Sequence, residues 1–363
     1  MSEDAAIKQF KCGQCGGNIE FHPGTGAQKC PYCGFENAVP ESEEDIEELD
    51  FHAVLSRLAE SEETVENQTM KCNSCGADTT LEEGVAADAC PFCGSDVIVT
   101  GGSVKELKPK SLLPFAITRE EARSAFQQWI KKLWFAPNSL KQAKGAYERL
   151  TGLYVPYWTY DCDTVSLYRG ERGDDYYTTE TYTTTENGKT VTKTRQVKKT
   201  RWWPVSGTVW NDFNDVLVLA SRSLPKKQAD KLEPWDLHDL VPFSEHYLSG
   251  FRTESYHVSL DEGMDEARGI MDGEIRSTVR RDIGGDHQRV HSVRTQYSNV
   301  TFKHILLPIW LSAYRYRDKA YRFLINARTG EVQGERPWSW VKITAAVLVT
   351  IGIIAGIVLL THS

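Results

Sequence analysis

Lys11-Cys12-Gly13-Gln14-Cys15-Gly16 is followed by Cys30-Pro31-Tyr32-Cys33-Gly34, and both return sixty positions later as Lys71-Cys72-Asn73-Ser74-Cys75-Gly76 and Cys90-Pro91-Phe92-Cys93-Gly94. A CxxC pair with a following glycine makes a tight knuckle whose backbone N–H groups can point at the sulfurs. Fourteen residues separate the knuckles in each copy, enough for two short strands and a turn. The pattern therefore predicts an internal duplication of small four-cysteine zinc ribbons, over 1–40 and 69–100. Cys12, Cys15, Cys30 and Cys33 would hold one zinc, and Cys72, Cys75, Cys90 and Cys93 the other. Four thiolates leave no open coordination position, so both ions are expected to be structural rather than catalytic. Metal binding would supply the folding energy of so small a unit, roughly 10–16 kcal/mol in zinc peptides. The same ligands would also suit iron in a rubredoxin-like site.

Eight of the nine cysteines lie in these pairs, and no charged segment with an apolar run precedes them. The N-terminus is thus expected in the cytosol, where paired cysteines favour metal over disulfide. Charge is unevenly spread. The net charge is -8, but residues 1–100 hold five Lys/Arg against twenty Asp/Glu, leaving that region near -15 and the rest near +7. An acidic head is a poor ligand for phosphates, which argues against nucleic-acid binding. The acidic stretch 41–68, with Ile46, Leu49, Leu55 and Leu58 at helical spacing, reads as a solvated linker helix, or as a partner-docking one.

At the other end, Ile343 to Leu360 is a run of eighteen uncharged residues, about 27 Å as a helix and close to the thickness of a bilayer core. Trp338 and Trp340 stand where an interfacial belt belongs, and Arg336 and Lys342 precede the span, which would keep the body cytosolic. The reading is a single-pass anchor at 338–363 in the cell membrane. Gly352 and Gly356 form a GxxxG that would allow self-association.

Residues 101–337 read as an α+β body, mixed, antiparallel and β-rich with helices. Thr118 and Glu121 form a capping box ahead of Ala122, Phe126, Trp129, Ile130 and Leu133, and Pro137 stops that helix. A second helical stretch is predicted from Ser139 to Leu150. Strands follow to about Leu219, including a hairpin over 176–201 turned at Asn187-Gly188. Its second arm carries Lys189, Lys193, Arg195, Lys198, Lys199 and Arg201, which would serve solubility or touch anionic lipid or a partner. A helix capped by Ser259 is predicted over Leu260–Asp282. Val155-Pro156-Tyr157-Trp158 is echoed by Leu307-Pro308-Ile309-Trp310, a hint of a repeated sheet motif.

No catalytic constellation emerges. Gly188-Lys189-Thr190 lacks the first glycine of a P-loop, and Gly24-Thr25-Gly26 lacks the third of a dinucleotide fingerprint. His287 and His291 lack the intervening glutamate of a metalloprotease and read as surface residues. Cys162, the unpaired thiol, reads as a half-buried packing residue.

The two ribbons, Tyr154-Val155-Pro156-Tyr157-Trp158, Leu232-Glu233-Pro234-Trp235-Asp236-Leu237, Asp282-Ile283-Gly284-Gly285-Asp286 and the ending Gly330-Glu331-Val332-Gln333-Gly334-Glu335-Arg336-Pro337 resemble a bacterial family of TFIIB-type zinc-ribbon membrane proteins. Members are sometimes labelled as relatives of the primosomal helicase PriA. The family also resembles adaptors that act with SPFH-domain and PspA-like proteins in envelope stress. The resemblance implies a non-enzymatic adaptor at the cytosolic face of the membrane. The alternative is a membrane-tethered nucleic-acid-binding protein of replication or transcription.

Overall fold

From Thr151 to Leu219, and again from His287 to Tyr316, β-branched and aromatic residues recur throughout, as unbroken apolar runs at 152–158 and 305–311 and with alternating exposure further along, as over 162–170. The alternation is the period-two pattern of a strand with two distinct faces. The computed structural model describes residues 10–40, 46–59, 65–72, 78–80, 87–90, 92, 96–98, 101–137, 150–186, 189–316, 319–335 and 338–362. It folds these segments into three very long antiparallel strands.

The first cysteine module is a three-stranded sheet, β1 (Glu20–His22), β2 (Ala27–Lys29) and β3 (Glu36–Ala38). A strap follows, made of β4 (Leu49–Asp50) and helix α1 (Phe51–Ala59). The second module holds β5 (Val65–Lys71), β6 (Asp78–Thr80), the pair β7 (Ala87–Ala89) and β8 (Asp96–Ile98), and β9 (Gly101–Glu106), which returns to pair with β5. This module therefore runs past residue 100, into the segment assigned by sequence to the body.

The body opens with β10 (Ser111–Leu112) and α2 (Arg119–Lys132), whose N-terminus carries the predicted Thr118–Glu121 capping box. Then come β11 (Thr151–Glu186) and β12 (Lys189–Leu219), of 36 and 31 residues. Short strands β13 (Val241–Pro242) and β14 (Arg252–Thr253) lead to helix α3 (Leu260–Ile283). The chain closes with β15 (His287–Tyr316), β16 (Lys319–Asn326), β17 (Val332–Gly334) and helix α4 (Trp340–His362).

The main sheet has the order β12-β11-β15-β10-β13, with β14 joined to β11, β4 and β16 to β15, and β17 to β16. At about 3.3 Å per residue β11 alone is some 120 Å long. Its first half is the base of the sheet. Its second half, paired with β12 as far as Glu186↔Lys189, is a projecting arm. Pro204 is tolerated because β12 is an edge strand, where a missing N–H breaks no ladder. The two X-Pro motifs are neighbours in register, with Val155 opposite Leu307 and Pro156 opposite Leu306.

The alternation of β11 separates three apolar clusters. On one face of the base Tyr154 meets α2 residues Ala122, Phe126 and Ile130, together with Phe21 of the first module. On the opposite face Leu153, Val155 and Tyr157 meet Leu224, Leu232 and the second module's Cys72, Cys90 and Phe92. The duplicated modules thus pack on opposite faces of the same sheet. Further along, on the Tyr154 face, Trp158, Tyr160 and Cys162 are covered by Met264, Ala267, Met271 and Ile275 of α3.

Two expectations are revised. The short helix expected within 41–68 is present as Phe51–Ala59, capped by Asp50, whose Oδ1 accepts from Ala53 N at 2.7 Å, but it is not a solvated linker. Phe51 and Val54 are buried against the Trp158 cluster, because an apolar helix face this close to an open sheet gains more by packing than by hydration. Cys162 is fully buried, its Sγ 3.6 Å from Met271 Sδ, and desolvation raises its thiol to about 11. Residues 139–149 of the predicted Ser139–Leu150 helix and the turn at Asn187-Gly188 lie outside the described residues. So do Cys75 and Cys93.

Candidate metal centre

Cys12, Cys15, Cys30 and Cys33 converge, all four Sγ atoms lying within 4.8 Å of one another. Cys12 and Cys33 stand 3.5 Å apart, as do Cys15 and Cys30. Two knuckles produce this. Gly16 N donates to Cys12 O at 2.9 Å and Gly34 N to Cys30 O at 2.9 Å. Gly16 and Gly34 have φ of 74° and 75°, a left-handed conformation that glycine adopts without strain. The Cys15 N–H is the main influence on Cys12, whose thiol falls to about 7. A set of four thiolates with tetrahedral spacing fits a soft or borderline metal ion with no free coordination position. Cys72 and Cys90 are both buried beside Phe92.

The first module is clamped to the body. Phe21 N donates to Ser249 O at 3.0 Å, Gln28 Nε2 to His246 O at 3.2 Å and Gly24 N to Phe115 O at 3.1 Å. Ser249 Oγ donates to Ile19 O, and Phe10 stacks on His246 at 4.0 Å. Between module and body lies an open crevice of 440 Å³ lined in part by Glu20, His22, Arg119, Phe251 and Trp310.

A second polar cluster, which no motif foreshadows, lies under the strap. Relative to β11, β12 carries one extra residue opposite Asp161 and β15 one opposite Cys162, and Asp215 and Asn299 there have φ of 54° and 52°. These bulges turn Asp161, Asp215 and Lys303 together. Lys303 Nζ is 2.8 Å from Asp215 Oδ1, 3.1 Å from Glu48 Oε1 and 3.8 Å from Asp161 Oδ2. Desolvation, with the hydrogen bond shared with Glu48, raises Asp161 to about 6. Residues 253 positions apart in sequence, Glu48 and Thr301, are also joined, Thr301 Oγ1 donating to Glu48 Oε2 at 2.9 Å. A polar residue inside an apolar strand was the only available signal, and it named no partner.

His287 and His291 are exposed on β15. His287 lies 3.1 Å from Asp175 and His291 3.8 Å from Glu171. Ser221 Oγ donates to Glu254 Oε1 at 2.7 Å, and His257 Nδ1 lies 3.6 Å from that same oxygen. The carboxylate stands between hydroxyl and imidazole, whereas a nucleophilic triad needs the imidazole in the middle. A Cβ at Gly352 or Gly356 would meet nothing within 4 Å outside the adjoining turns of its own helix. Helix α4 is long and apolar enough to cross a membrane, and its apolar window is not buried in the fold.

No family model matches the chain, and no solved structure matches it. It is 27% identical over 340 residues to "Uncharacterized protein YdjG" of Bacillus subtilis (strain 168), a similarity that covers 93% of each chain.

Proposed function

We propose that this chain is a membrane-anchored, non-enzymatic adaptor that presents two zinc ribbons and a long β-arm to other proteins at the cytosolic face. The observation that carries the reading is the open sheet face at the root of the arm. Opposite α3, Leu167 is 59% exposed and Trp210 69% exposed, and Val165, cross-strand partner of Trp210, is exposed beside them. Apolar side chains clustered on an open sheet face favour a protein partner over solvent.

The donor set supports zinc in the first ribbon, and the sixty-residue duplication extends the reading to Cys72, Cys75, Cys90 and Cys93. The uncharged span with Lys342 on its N-terminal side supports an anchor whose body stays cytosolic. Ribbons without an open coordination position, and a serine, carboxylate and imidazole in the wrong order, support a role other than catalysis. The basic arm is partly self-neutralised, Lys198 pairing with Asp175 at 2.5 Å and Lys199 with Glu180 at 3.0 Å. That leaves fewer cations for phosphates and weakens the nucleic-acid alternative. From the family resemblance, the partners would be SPFH-domain or PspA-like envelope-stress proteins.

A benzophenone amino acid at position 210 of the full chain, photolysed in its own membranes, should yield a discrete protein adduct identifiable by mass spectrometry. The reading is lost if positions 165, 167 and 210 all yield none while the chain remains in the membrane fraction.

A further inference from the structure

The turn after α2 is unusual in what it exposes. Leu133 and Ala136 are buried in the core of the sheet base, yet between them Trp134 is 82% exposed and Phe135 is also exposed, at 36%. A tryptophan held out by two buried neighbours cannot retreat into the fold. The same turn is tied to the start of α4. Ser339 N donates to Phe135 O at 2.8 Å, Lys342 Nζ donates to Ala136 O at 2.8 Å, and the rings of Phe135 and Trp338 lie 6.5 Å apart. Trp338 and Trp340 are themselves exposed, at 53% and 78%. Two segments some 200 residues apart therefore build one aromatic patch, continuous with the uncovered apolar surface of α4.

We propose that this patch is a membrane-interface contact: Trp134 and Phe135 enter the headgroup region beside Trp338 and Trp340, so the body rests on the bilayer at the end of α2. The proposal rests on the reading of α4 as an anchor. Its occupant is lipid rather than protein because the patch runs without a break into a helix of spanning length. Indole rings, apolar in body and polar at one edge, also settle at that level. Lys131 and Lys132, exposed in the last turn of α2, supply the positive charge that anionic headgroups favour. The hydrogen bonds from Ser339 and Lys342 fix the body to the anchor at its first turn, where a flexible tether would let it drift. The far end of the arm, at Glu186, lies about 105 Å of strand from Tyr154 in the base, and reaches away from this contact.

The test uses the full chain in phosphatidylcholine/phosphatidylglycerol vesicles and in cell membranes, with a benzophenone amino acid at one of three positions. Position 134 probes the patch, position 347 the middle of α4, and position 177 the exposed arm. Because Trp134 is mostly solvent-exposed, replacing it should leave the fold intact. Phospholipid adducts at 134 and 347, with none at 177, are the expected result. Lipid adducts at 347 but not at 134 would overturn the contact and leave the anchor standing. No lipid adduct at 347 would sink the anchor reading itself. In cell membranes, a protein adduct at 134 in place of lipid would assign the patch to a partner, and equal lipid adducts at 134 and 177 would show no selective contact; either result overturns the proposal.

Discussion

The ammonium of Lys303 on β15 lies 2.8 Å from the carboxylate of Asp215, in the bulge of β12, across the central strand of the sheet. It also reaches Glu48, so one buried lysine ties the strap before α1 to the middle of the sheet. Replacing it by methionine keeps most of the length of the side chain, removes the charge and leaves Glu48, Asp161 and Asp215 facing one another. Breaking one side of a buried pair costs about 3 kcal/mol at the lower end of the known range, and a proton taken up by Asp161 keeps the loss near that end. Thermal unfolding of Lys303→Met in detergent, followed by near-ultraviolet circular dichroism, should show a lowered midpoint. Cleavage by protease should appear first between residues 41 and 59. An unchanged midpoint would remove the cluster from the stability of the strap.

Asp161 gives stability a pH dependence of known sign. Its folded value, about 6, lies above the ordinary 3.8. Its contribution is therefore fully present below about pH 3.8 and lost as pH rises through 6. His304, buried and lowered to about 4, acts in the opposite sense over much of the same window, because its contribution is lost as pH falls. The informative comparison is thus between the native chain and Asp161→Asn, which keeps an oxygen to accept from Asp215 N. The stability difference between them should shift in favour of the variant from pH 4 to pH 7. Parallel pH profiles would contradict the assignment.

Zinc removal should act on the body as well as on the first ribbon. Phe21 belongs to the core cluster with Phe115 and Phe251, so the module cannot open without exposing that cluster. Cys12→Ser should lower bound zinc by about one ion per chain, from the two expected of intact four-thiolate sites. Hydrogen exchange should rise at 19–30 and also near 246–251. Loss of protection confined to 10–40 would show that the clamp contributes little.

At Gly263 α3 lies close against the sheet. A Cβ there would stand 2.4 Å from Tyr160 Oη, whose hydroxyl donates to Leu260 O at 2.7 Å. Gly263→Ala should therefore destabilise the chain by about 1–3 kcal/mol, despite the higher helix propensity of alanine. Gly269, with open space around it, is the control: Gly269→Ala should be neutral or slightly stabilising. Equal effects at both positions would refute the close contact.

Local chemistry was legible in the residues themselves. The CxxC knuckles need only their own glycines and turns, so their ligands could be named from spacing, and the structure brings Cys12, Cys15, Cys30 and Cys33 together. Thr118 and Ser259 announce helices because a capping box closes within four residues. The eighteen uncharged residues before Thr361 report their length directly.

What the residues could not state depends on partners far away in the chain. The β-forming residues from Thr151 to Leu219 predict strands, but the bulges beside Asp161 and Cys162 exist only because β12 and β15 each carry an extra residue there. The strap looked solvated because its charges dominate the count, while its packing depends on a sheet surface more than a hundred residues later. The two modules share one cysteine framework in sequence, and only the tertiary structure sets Phe21 on one face of the base and Phe92 on the other. A sequence motif specifies its metal through contacts a few bonds away; its address in the fold is decided by which apolar surface is left open to receive it.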